Sequence, residues 1–167
     1  MTRVAILGDT HVPSRATGLP DWVAEEVRTA GRTIHTGDFD SREAYDRIAT
    51  LADGNLTCVR GNMDPSTLEL PRTDTLVLED VTVVVTHGTG SPGGWHRRVV
   101  ETARDEVDAG ENAVVVAGHT HEVVDTARDG IRVLNPGSAT AASPATHETM
   151  LVAHIEDGDV AVDSLTR

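Results

Sequence analysis

Lysine is absent from this chain of 167 residues: all 14 basic residues are arginine, set against 27 Asp and Glu for a formal net charge of -13. Negative charge spread along the whole chain excludes a nucleic-acid backbone or an anionic membrane as a stable partner, because both repel it. A phosphate-bearing small molecule drawn to a locally cationic site remains open. Cysteine is nearly absent as well. Cys58 stands alone, which excludes an internal disulfide and a thiolate zinc site and suits a reducing cytoplasm. No apolar run approaches the roughly 18 residues of a membrane helix. No basic start leads into an apolar stretch, so no signal peptide is expected.

The missing lysine has a second consequence. Abundant acids with Val, Thr and Ala resemble the composition of proteins from salt-accumulating halophiles, and a high-salt cytosol is the expected setting. At molar salt the Debye length falls to about 3 Å, so self-repulsion that would loosen the fold in dilute buffer is screened.

The length fits one domain over residues 1–167, with no repeat, low-complexity tract or linker. Arg3–Leu7, Thr33–Thr36 and Leu56–Val59 read as short buried strands, each closed by glycine within two residues. Between them, Trp22, Val23, Val27 and Ala30 recur at helical spacing. Ser41 can cap a helix with Ala44, Ile48 and Leu51 on one face. This strand–helix alternation predicts a parallel, right-handed layer. The remainder is richer in strands: Thr75–Leu78, Val81–Thr86, Ala113–Ala117, Glu122–Ala127, Ile131–Leu134, Met150–Ile155 and Val160–Ser164. Asp129-Gly130 and Asp157-Gly158 mark hairpin turns, as does Glu79-Asp80 more weakly. Trp95, Val99, Ala103 and Val107 step by four, predicting a helix over 95–109. The expected architecture is α/β, a four-layer α-β-β-α sandwich of two mixed sheets flanked by helices.

Five motifs end apolar runs with oxygen or imidazole groups: Gly8-Asp9-Thr10-His11, Gly37-Asp38, Gly61-Asn62, His87-Gly88 and Gly118-His119-Thr120-His121. Ligands bind beyond the carboxyl ends of strands in open α/β sheets. The spacing from Asp9 to Asp38, Asn62, His87 and His119 is 24 to 32 residues per step, about one strand and return each, so one edge can receive all five. Asp9 and His11 point the same way if their segment stays extended, as do His119 and His121. Two Asp, one Asn and four His form the inventory of a binuclear site, which makes a hydrolytic nucleophile from water.

In this order the motifs, with Asn135-Pro136-Gly137-Ser138 downstream, resemble the calcineurin-like metallophosphoesterase superfamily over about residues 3–165. The likeness is to its small single-domain branch, which includes prokaryotic phosphodiesterases and the scaffold subunit of retromer. It implies that Asp9, His11, Asp38 and His121 hold one divalent metal and that Asp38, Asn62, His87 and His119 hold the other, with Asp38 bridging. Manganese is the family's usual activator; ligands without sulfur also suit iron, zinc, cobalt or nickel. The implied function is a metal-dependent phosphodiesterase that hydrolyses a phosphate-ester small molecule by direct attack of a metal-bridging hydroxide, with Asp38, Asn62 and His87 acting through it. The alternative is a non-catalytic metal-binding scaffold of the retromer type. Small relatives often pair, so a homodimer or higher homo-oligomer belongs to the same expectation.

One departure bears on the chemistry. Relatives often carry Gly-Asn-His where this chain has Gly61-Asn62-Met63, and a thioether offers no proton to a leaving group. Other residues have plainer readings. His35 reads as a core histidine, His96 as a surface position, and His147 and His154 as structural or exposed. Arg60 reads as an ion pair with nearby acids, with a phosphate clamp as the alternative. Asp64 reads as a turn or ion-pair residue, with orientation of the Asn62 loop as the alternative. Asn135 to Ser138 reads as a conformational turn. Ser91-Pro92-Gly93-Gly94 is either a mobile substrate loop or a plain connection.

Overall fold

The computed structural model describes residues 1–167, and its layers follow from alternation along the strands. In β1 (Thr2–Leu7) Val4 and Ile6 face one core while Ala5 and Leu7 face another. The period of two sends successive side chains to opposite faces, so a strand apolar on both must be covered on both. β1 pairs in parallel with β2 (Arg32–His35), and β2 with β3 (Leu56–Cys58). The C-terminal hairpin of β9 (Thr149–Glu156) and β10 (Asp159–Thr166) completes this sheet antiparallel to β1, giving the order β10-β9-β1-β2-β3.

The second sheet runs β4-β5-β6-β8-β7. Its strands are β4 (Thr73–Leu78), β5 (Val81–Thr86), β6 (Ala113–Val116), β7 (Val123–Arg128) and β8 (Ile131–Pro136). β5, β6 and β8 are parallel, while β4 and β7 are antiparallel edges. Val81, Val83 and Val85 join Val4 and Ile6 in the core between the sheets. Val84 and Val115 turn outward, under α3 (Trp95–Glu106). On the far side α1 (Asp21–Thr29) and α2 (Arg42–Leu51) bury Val23, Val27, Ile48 and Leu51 against the first sheet. The result is the four-layer sandwich that the patterning predicts.

Local signals behave as their chemistry requires. Ser41 caps α2 by accepting from the Ala44 N–H at 3.1 Å. α3 ends at Glu106 rather than near 109, because Val107 is extended and the Glu111 carboxylate accepts from the Asp108 N–H at 2.9 Å. That side-chain bond offers the backbone an alternative to another helical turn. Val107 still packs against the α3 core, so its apolar spacing was correct although its helicity was not.

Candidate metal centre

All five motifs arrive at one edge, at the carboxyl ends of β1, β2, β3, β5 and β6, where the two sheets meet. Contacts between the sheets fix them there. The His119 N–H donates to Asp9 Oδ2 at 2.9 Å, and Ser138 Oγ donates to the Asp9 carbonyl at 2.7 Å. The segments are not extended, so the condition under which each His would point the same way as its partner two residues before it is not met. Asp9, His11, Asp38, His119 and His121 all have positive φ, from 45° to 76°. For side chains other than glycine this region is sparsely populated and costs of order 1–3 kcal/mol per residue. Backbone bonds hold part of it: Asp9 N–H to Gly37 O and His11 N–H to Asp38 O, both 3.0 Å. Glycine is required where these loops touch. A Cβ on Gly118 would lie 2.5 Å from Thr36 Oγ1 and 2.8 Å from Asp9 Oδ2.

Two groups of buried ligand atoms result, Asp9 with His11 and His121, and Asp9 with Asp38 and His87. Asp9 is common to both groups, whereas the sequence resemblance implies Asp38 as the shared carboxylate; Asp38 Oδ2, in the second group, lies 3.2 Å from His87 Nε2 and also comes within 3.5 Å of His11 Nε2 of the first. Asn62 and His119 close the second group from its exposed side. Asn62 Oδ1 is 3.1 Å from His87 Nε2 and 3.0 Å from His119 Nδ1.

The outer nitrogens settle the tautomers. A carbonyl only accepts, so His87 Nδ1 donates to Thr36 O (2.7 Å) and His121 Nδ1 to Ala142 O (2.8 Å). His119 Nε2 likewise donates to Gly90 O at 2.7 Å. His11 Nδ1 lies 2.9 Å from the Asp40 carboxylate. In the neutral rings the lone pairs therefore face inward, toward one another and toward carboxylate oxygens. His11 Nε2 and His121 Nε2 sit 3.2 Å apart. Neighbouring ligands on a shell of about 2.1 Å radius sit roughly 3 Å apart, so a cation between them fits. Asp9 Oδ1 is buried without a hydrogen-bond partner, an acceptor that a cation would satisfy.

Without a metal, protons take its place. Burial works against a charged His87, but its hydrogen bond to Asp38 and the charges of Asp9 and Asp38 prevail, raising its pKa to about 9. Burial pushes Asp38 up, yet the His87 hydrogen bond and charge, with the Met63 N–H, bring it down to about 2. A divalent cation entering here displaces a proton.

The supporting groups were only partly legible. Asp40 was missed, although its place two residues after Asp38 is a usable signal for a carboxylate that orients a ligand histidine. Asp64 takes the orienting role. It is buried and accepts from the N–H groups of Asp38, Phe39, Asp40 and Gly61 at 2.7 to 3.1 Å, tying two ligand loops together. We expect Asp64→Ala to cost at least about 3 kcal/mol in urea unfolding, since each buried donor left unpaired costs about 1–3 kcal/mol.

Asn135 and Ser138 do more than turn the chain. Asn135 Nδ2 donates to Gly118 O and Thr120 Oγ1, bracing the His119 loop. Arg60 departs from its expected role, having no acidic partner among the ion pairs, because its side chain lines a cavity without carboxylates. The Ser91–Gly94 segment is tied within itself and through the residues just before it. Arg98 donates to the carbonyls of Gly88, Ser91 and Gly93, and His119 to that of Gly90. His96 is partly buried, edge-on to Trp95.

His35 is a core histidine, stacked on Phe39 with ring centroids 3.6 Å apart. Its Nδ1 accepts from the Gly37 N–H at 3.1 Å. Burial, aided by the His87 and His11 charges and opposed by Asp38, lowers its pKa to about 3. The folded protein thus keeps this ring neutral while the unfolded chain protonates it below about 6.5. Its contribution is complete above that pH and is lost as pH falls toward 3. Between pH 6 and 4 the wild type should lose about 1.4 kcal/mol per pH unit more than His35→Asn. Urea midpoints across that range measure the difference; equal slopes refute it.

The fold and site define a class: an α/β sandwich whose sheet edge gathers oxygen and imidazole groups able to hold metal. The chain belongs to the calcineurin-like phosphoesterase superfamily, whose domain matches residues 2–158. A probable metallophosphoesterase of Methanothermobacter thermautotrophicus is 31% identical over 142 residues, 82% of this chain and 77% of that protein. A second, from Methanocaldococcus jannaschii, is 35% identical over 138 residues, 82% and 68% of the two chains. Among solved structures, Vps29 of Entamoeba histolytica, as a single mutant, superimposes with a TM-score of 0.77 at 27% identity, covering 99% of both chains.

Proposed function

We propose that this chain is a binuclear metal-dependent phosphodiesterase. The observation that carries the reading is the pair of ligand groups around Asp9 and Asp38, with ring lone pairs aimed inward and their outer nitrogens anchored. Asp9, His11, Asp38 and His121 would hold one cation, and Asp38, Asn62, His87 and His119 the other. Two divalent ions there would supply a nucleophile from water at neutral pH and offset charge on the phosphate. Manganese is the first choice; iron, zinc, cobalt and nickel suit the same donors.

The chain's own groups set the rest. Asp9 and Asp38 offset only half of four positive charges, so the site favours an anionic ester. Asp40 and the Thr36 and Ala142 carbonyls keep the imidazoles in register. No phosphorylated side chain forms in this reading; labelled phosphoryl recovered on the protein contradicts it.

The deciding experiment is hydrolysis of bis(p-nitrophenyl) phosphate by metal-reconstituted protein in molar KCl, the salt an acidic, lysine-free chain calls for. Metal-dependent turnover that a chelator removes is expected. The second reading is a non-catalytic scaffold, favoured by the Vps29 likeness. Tight metal binding without turnover on any phosphate ester would establish it instead.

A further inference from the structure

Beside His87 and Asn62 opens a cavity of about 410 Å³. Arg60, Arg72 and Arg98 line it, with threonine and glycine and no acidic or apolar side chain. In a chain with 27 acidic against 14 basic residues, that is a local reversal of sign. The pairing of Arg60 N–H with Pro71 O at 2.7 Å produces it, bringing the end of β3 beside the start of β4 and Arg60 close to Arg72 in the chain fold. Arg60 and Arg72 appear in none of the ion pairs, and their side chains make no hydrogen bonds within the protein. Arg98 is held in place by three carbonyls, with its Nε left unpartnered.

Arginine's planar fork binds phosphate oxygens two at a time, and cations gathered in a cleft draw anions to it. The space is worth on the order of ten waters, at about 30 Å³ each, more than one phosphoryl group fills. We propose that this cavity is a second-anion subsite and that the substrate is a phosphate ester carrying a further phosphoryl group beyond the one cleaved. The inference rests on the proposed function only for where the cleaved phosphate sits. Substrates with a single phosphate leave Arg60 and Arg72 idle; doubly phosphorylated ones engage both the metal centre and the cavity.

The test compares two ligands that cannot be hydrolysed, propylphosphonate and propane-1,3-bisphosphonate, titrated calorimetrically into metal-saturated protein. Both present the same first phosphonate to the metal centre, so their ratio isolates the second. We expect the bisphosphonate to bind at least about tenfold more tightly, roughly 1.4 kcal/mol. The double variant Arg60→Ala/Arg72→Ala should erase the ratio, and Arg60→Lys/Arg72→Lys should keep part of it. Arg47→Ala, an arginine lining a different surface, should leave it unchanged. A ratio near one in the wild type, a ratio that survives the alanine pair, or no binding of either phosphonate overturns the subsite. Because neither ligand has a cleavable ester, a preference without turnover on any diester fails only the enzymatic reading. Turnover without the preference fails only the subsite.

Discussion

Asp38→Ala should lower metal-dependent hydrolysis of an aryl phosphodiester by at least about 10³-fold, because in the proposed binuclear site this carboxylate would support both cations, and losing several kcal/mol of charge stabilisation is a loss of that size. Asp38 Oδ2 lies within 3.5 Å of both His11 Nε2 and His87 Nε2, and no other carboxylate approaches both as closely. Its second oxygen accepts from the Met63 N–H at 2.7 Å, so the substitution also frees the loop bearing Asn62. Asp38→Asn separates the two effects. It retains the shape and one acceptor but removes the charge, and it should lose nearly as much activity. Metal content per chain should fall in both variants, with the fold intact by far-UV circular dichroism. Activity within tenfold of wild type in Asp38→Asn would show that this carboxylate does not bridge.

Met63→His should raise the rate on esters with poor leaving groups by about 100-fold or more, within the 10²–10⁴ range of a positioned general acid. Met63 directly follows Asn62, a ligand in the proposed site; its side chain is substantially exposed, and its N–H is already fixed on Asp38 Oδ1. The backbone is therefore in place, and in the proposed enzyme only the proton donor would be missing. Aryl leaving groups, which depart as stable anions, should gain little. The measurement is kcat against leaving-group pKa. The wild type should show a steep dependence that flattens in the variant. Parallel lines for the two proteins would place the proton donor elsewhere.

How much of this was readable depends on the range of each interaction. Val81, Val83 and Val85 against Val84 announce a strand covered on both faces through composition and alternation alone. Ser41 announces a helix start through a bond to a residue three positions on. The candidate ligand types were legible because each closes an apolar run. Their backbone was not. Asp9 and His11 adopt left-handed conformations held by Gly37 and Asp38, residues of the loop that follows β2. Asp64 left two readings open in sequence because its four N–H partners come from two loops. Arg60 was misread for a related reason. In a chain so rich in acids an ion pair is the default, and only the folded neighbourhood reveals a cavity with no acid in it.

The order of strands and helices, the two-sided sheets and the identity of the metal-seeking groups were determined by the sequence itself, because periodicity, caps and glycine stops act within a few residues. The tertiary structure alone decided which ring nitrogens face inward, how Asp9 comes to be common to both ligand groups, and where three arginines converge. Those depend on pairs such as His11 with His121 and Asp9 with His119, each 110 residues apart, which meet only when the two sheets pack face to face.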